Sequence, residues 1–217
     1  MKTPLALLVL AFWSLHLIGQ DNPYESTMLS TIKSLDQASG KEEYLKCASQ
    51  FERVANAEKT LWLPYYYGAY SLILLSFEES EGAKKDLILD RAQELLDRAL
   101  ELEPDESELH TLQAFLYPSR ILVDPMNRGM IYFEPMFSEL EQAKALNPGN
   151  PRPWFLDGVS KLNLPPAMGG GPAVARPILE EAAAKFRSFK NDDPLWPIWG
   201  EEENRAELDK LPKIESN

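Results

Sequence analysis

Cysteine is nearly absent from this sequence. Cys47 is the only one in 217 residues, so no internal disulfide can form and packing alone must hold the fold. Cys47 sits among Tyr44, Leu45, Ala48 and Phe51 on a helical stretch, which reads as a small buried apolar group rather than a catalytic thiol. Histidine is almost as scarce, with two in the chain. One of them, His16, falls in an N-terminal stretch that reads as a leader. His110 alone cannot assemble a Ser-His-Asp or Cys-His arrangement or a zinc site, and its place on an apolar helix face suits packing. Basic residues are outnumbered, giving a net charge of −12 that argues against nucleic acid and anionic lipid. The calcium-loop spacing is missing. No carboxylate pair stands out as a general acid and base among the 34 acidic residues. No catalytic, metal or cofactor site is expected, and an enzyme is not the expected function.

A long hydrophobic run occurs only at the start. "MKTPLALLVLAFWSLHLIGQ" has one basic residue, an apolar stretch from Leu5 to Ile18, then Gly19 and Gln20. That is the order of a secretory signal, so residues 1–20 are expected to be a cleaved leader and residues 21–217 one exported domain. An uncleaved anchor is the alternative. No membrane span is expected after the leader.

What the chain has in abundance is helical periodicity with a recurring ending. Pro104, Pro148 and Pro194 each close a helix. Twelve residues before each stand Ala92, Met136 and Ala182. Eight before stand Leu96, Leu140 and Phe186, and five before stand Ala99, Ala143 and Phe189. These offsets keep each set on one helix face, and the proline blocks continuation. Small residues mark the partner helices: Gly68 in "LWLPYYYGAYSLILL", Ala114 four residues after His110, and Gly158 four residues after Trp154.

The endings resemble the second helix of a tetratricopeptide repeat, A-x3-F-x2-A-x4-P, and Trp154 with Gly158 resembles its first helix, although Asp157 replaces the usual Leu. The resemblance implies an all-α solenoid of about eight helices in antiparallel pairs. The repeats fall at about 24–60, 61–104, 105–148 and 149–194, with a capping helix at 195–213. The prolines stand farther apart than the roughly 34 residues of a typical repeat. The surplus is expected as long turns between paired helices, at "EESEGAKKD", "DPMNRGMIYFEP" and "LPPAMGGGPAVA". The three glycines of the last, Gly169 to Gly171, are therefore expected to be a turn, with a backbone anion site as the alternative. "DPMNRG", "NPGNPRPW", "GGGPAVARPILEEA" and "PLWPIWGEEENRAEL" resemble exported tetratricopeptide-like proteins of Bacteroidetes-type bacteria. A more distant likeness is to the periplasmic repeat protein of some tripartite solute transporters.

The resemblance implies a concave face lined by first helices. Trp62, Tyr65, Tyr66, Phe115, Arg152 and Phe155 are expected on or near it, unless they fill the core. An exposed groove of this kind would suit a peptide, a protein terminus or an apolar carboxylate. Arg128, in the second long turn, is expected either to dock a partner or to tie neighbouring repeats. Two functions stay open: a scaffold binding a protein or peptide partner through groove and rim, or a solute- or lipid-binding accessory of a transport system. A shallow open groove favours the first and an enclosed apolar one the second.

Overall fold

The computed structural model describes residues 22–212. The expected leader, residues 1–20, lies outside them, as does the last residue of the expected 195–213 cap. Among the described residues there are nine α-helices and no strand: α1 (Pro23–Asp36), α2 (Lys41–Ala57), α3 (Trp62–Glu78), α4 (Gly82–Leu102), α5 (Ser107–Ile121), α6 (Pro125–Leu146), α7 (Pro151–Asn163), α8 (Pro172–Ser188) and α9 (Glu201–Lys210). The all-helical class expected from the periodicity is the one observed. Among the described residues no helix is long and apolar enough to cross a membrane.

The apolar spacing becomes packing directly. Leu89, Ala92, Leu96 and Ala99 form a fully buried stripe on α4. Leu140 and Ala143 on α6, with Ala175, Leu179 and Ala182 on α8, repeat it, and Met136 is almost as deep. One stripe at three- and four-residue spacing lets each helix seat on its chain neighbour, and α3/α4, α5/α6 and α7/α8 pack as close pairs. The helix starts are fixed locally. Asn22, Glu106, Asp124 and Asn150 each accept a backbone N–H of the first turn through the side chain. Cys47 is buried between helices, and burial raises its thiol pKa.

The expected long turns are corrected in two of three places. α4 starts at Gly82 and α6 at Pro125, so the surplus residues lengthen the second helices to 21 and 22 residues. Proline at the first helical position forfeits no hydrogen bond there, so what looks like a breaker is a start signal. Of the three, only residues 164–171 form an extended connector, which contains a single 3-10 turn, Pro166–Met168.

Two hydrophobic clusters result. One joins α1 to α5 and includes Leu195 from beyond α8; the other joins α5 to α9. Phe115 and Tyr117 of α5 pack against both.

Candidate functional site

The glycine connector is a turn and not an anion cradle. Gly169, Gly170 and Gly171 donate their N–H groups to the carbonyls of Pro166, Pro165 and Lys161 at 3.0, 3.2 and 2.8 Å. None is left for a phosphate. Gly169 and Gly171 have φ of 76° and 98°, which favours glycine, and a Cβ on Gly170 would lie 2.3 Å from the Leu164 carbonyl oxygen.

The expected inner groove is already filled. Residues 189–200, between α8 and α9, run as a strap across the inner face. Tyr67 donates its hydroxyl to the Leu195 carbonyl at 2.9 Å, and the Trp199 indole N–H donates to the Tyr66 hydroxyl at 2.8 Å. Trp62 meets Trp196 edge-on, with ring centroids 5.6 Å apart. Phe115 and Phe155 lie 5.7 and 6.5 Å from the Trp199 ring. Arg152 is buried, pairs with Glu108 at 2.7 Å and donates to the Pro197 carbonyl. Its guanidinium also covers the Trp199 ring at 5.6 Å. Burial pushes the Glu108 carboxyl up and Arg152 opposes that shift. Five of the six expected inner-face residues therefore hold the chain's own C-terminal segment. Tyr65 does not: its hydroxyl donates to the Ala55 carbonyl at 3.1 Å and ties α3 to α2. The signal for the strap was present in "PLWPIWG", which is too apolar for a free linker.

Other singled-out residues make contacts within the chain. Arg128 forks onto Asp86 of α4 with bonds of 2.6 and 2.7 Å. Arg120 adds bonds to Asp86 and Asp90 at 3.1 and 2.6 Å. Asp86 is held below the usual carboxylate range, first by its bond from Arg128. Arg128→Ala should cost about 1 kcal/mol, the scale of a partly exposed ion pair with good geometry. Part of the wild-type stability should also vanish as pH falls through the depressed Asp86 pKa, since the stabilised form is the carboxylate. Denaturant titration at neutral and acidic pH checks both. The His110 ring nitrogens lie 2.7 Å from a Glu139 carboxylate oxygen and 2.9 Å from the Pro104 carbonyl oxygen. The Glu139 contact raises the His110 pKa. The Trp154 ring lies under Lys144 and Lys185, at 4.7 and 4.8 Å.

Open apolar space occurs elsewhere, at the end where the turns lie. Gly82 backs onto Val123, and Leu122 and Leu164 share one groove. This groove, about 540 Å³, runs between α5, α6 and α7. Its walls are Phe115 and Pro118 of α5, Phe133 and Met136 of α6, and Leu156 and Val159 of α7. Ser160 and Asn163 supply polar groups at one side. Space opens here because Ala114 and Pro118 are short or ring-closed where long side chains would otherwise meet α7. Ala114, read from sequence as a close-packing position, also lines this groove. The sequence reading missed Pro118, Phe133, Leu156 and Val159. Outside the groove, Met130 and Met126 near the start of α6 are 91% and 87% exposed.

Of the side chains that ligate transition metals, the described lining contains only Met136 and no His, Cys, Tyr, Asp or Glu. Met136 is itself buried, with the Ser160 hydroxyl 3.8 Å from its sulfur.

No protein-family model and no curated protein matches the chain. Among solved structures it is similar to the HusA haemophore from Porphyromonas gingivalis. The TM-score is 0.80 and the identity 29%, over 92% of this chain and 100% of that one. The all-helical architecture is thus shared with a binding protein, while membership of the tetratricopeptide family has no matching family model.

Proposed function

We propose that this chain is an exported binding protein for a flat, mostly apolar ligand of the porphyrin class, seated in the groove between α5, α6 and α7. The observation that carries the reading is the groove itself. At about 540 Å³ it falls within the usual size of small-molecule sites, with aromatic and aliphatic walls and few polar groups. The similarity to a haemophore supplies the ligand class. The apolar walls of this groove favour a solute binder over a peptide scaffold, and the expected inner peptide groove holds the strap. Export fits this role, with residues 1–20 as leader, and the helix pairs are divergent tetratricopeptide repeats.

The lining makes a specific demand. With its one thioether buried, the groove recognises the ring face and not the iron. Haem and metal-free protoporphyrin should therefore bind with affinities within roughly threefold of each other, since axial ligation contributes little. Absorbance and tryptophan-quenching titrations measure both. Haem binding tighter by a hundredfold or more would mean that an iron ligand outside the lining, such as Met126 or Met130, carries the affinity.

A protein partner forms the second reading. It is favoured by the exposed side chains of Met126, Met130 and Ile131, three large apolar groups within the first half of α6.

A further inference from the structure

A second cavity, of about 480 Å³, lies on the inner face beside the strap, between α1, α2, α3 and α9. Its walls are aromatic. Tyr44 comes from α2, Tyr70 from α3 and Trp199 from the strap. The Tyr70 and Trp199 rings stack at 5.3 Å, and Tyr70 stacks in turn on Tyr66 at 6.3 Å, so this wall is braced from behind. Ile198 stands 70% exposed at the cavity, between the buried Pro197 and the half-buried Trp199.

The charged side chains that line the cavity are all acidic, and Arg152, which lies over the Trp199 ring at 5.6 Å, is already paired with Glu108. Asp36, Glu201, Glu202 and Glu203 line the cavity, and no Lys or Arg does so among the described residues. Glu203 accepts the Gly200 N–H at 3.1 Å, and Glu202 reaches only Arg205, at 3.5 Å on the open surface. Neither contact neutralises the mouth. The Tyr70 hydroxyl responds to this surrounding: its pKa is raised, first by burial and next by Glu203.

Aromatic faces present negative charge to a cation lying over them, and carboxylates at the mouth add to the same field. We infer that this cavity binds an organic cation, an ammonium group on a small apolar body, with Tyr44, Tyr70 and Trp199 as its cage. The cavity and its rings define the site, and the carboxylates set the sign of the ligand. An anionic ligand is repelled by the same four groups, so this site is separate from the apolar groove in both place and chemistry.

The test uses the full chain and benzyltrimethylammonium, titrated calorimetrically and by tryptophan fluorescence. Saturable one-to-one binding is expected. Neopentylbenzene, which has the same shape without charge, should bind at least about tenfold more weakly, and phenylacetate should not bind. Tyr44→Leu, at a half-buried wall position, should weaken binding about tenfold with the circular dichroism spectrum unchanged. The pair Glu201→Gln and Glu202→Gln should weaken it about threefold and flatten its salt dependence. Neither change should alter porphyrin affinity. Absence of saturation, equal binding of the neutral isostere, or indifference to all these substitutions would each overturn the inference.

Discussion

Arg152→Ala should lower stability by about 3–5 kcal/mol, the usual cost of stranding one member of a buried ion pair. Glu108 is fully buried, and Arg152 supplies its ion-pair partner. The same guanidinium holds the Pro197 carbonyl, so the strap loses its central donor when the side chain is cut back. Thermal denaturation should report a drop of roughly 10 °C or more for a chain of this length. Trp199 fluorescence should shift as its cover is removed. A second variant separates the charge from the packing. Changing Arg152 and Glu108 together to Met removes the stranded carboxylate and should recover more than half of the loss. A single-variant cost below about 1 kcal/mol would show that the strap is not anchored through this pair.

Gly158→Leu should cost about 1–3 kcal/mol, as overpacking does. A Cβ at Gly158 would stand 2.5 Å from Leu179 Cδ2 and 3.3 Å from the Leu179 backbone nitrogen. Leu179 is itself fully buried on α8, so its side chain must be displaced to admit a Cβ, and a leucine there also forces α7 and α8 apart. Even Gly158→Ala should be measurably less stable. The expected fall for leucine is roughly 3–10 °C in the melting temperature. An unchanged melting temperature would contradict the close approach of this helix pair.

These two residues mark the limits of what the sequence reveals. Gly158 was legible because its neighbours are local: a small residue on one helix faces a periodic stripe on the next helix in the chain. The same holds for Ala92, Ala99, Ala143 and Ala182, each fully buried where the spacing placed it. Phe186 was placed on the same face and is only partly buried, beside Gly200. Arg152 was singled out from the sequence, yet its partners were not readable there. Trp199 meets Tyr66 across 133 positions, and no spacing rule connects them. The first turns of α4 and α6 were read as connectors because Gly82, Pro125 and Gly129 look like breakers, whereas Gly82 and Pro125 stand at helix starts. The apolar groove was missed for a third reason. It depends on short side chains at Ala114 and Pro118 failing to fill the distance to α7, and a void has no motif.

The central claim is that a flat apolar ligand sits between α5, α6 and α7, and blocking that groove tests it most directly. Val159 is half-buried in the groove wall, so Val159→Trp adds an indole into the space without removing a core side chain. Protoporphyrin is titrated against the wild-type chain and this variant, with folding checked by circular dichroism. Filling the site should weaken binding by about a hundredfold, because the ring face loses most of its apolar contact. Undiminished porphyrin affinity in a folded Val159→Trp protein would contradict the account and place the ligand elsewhere.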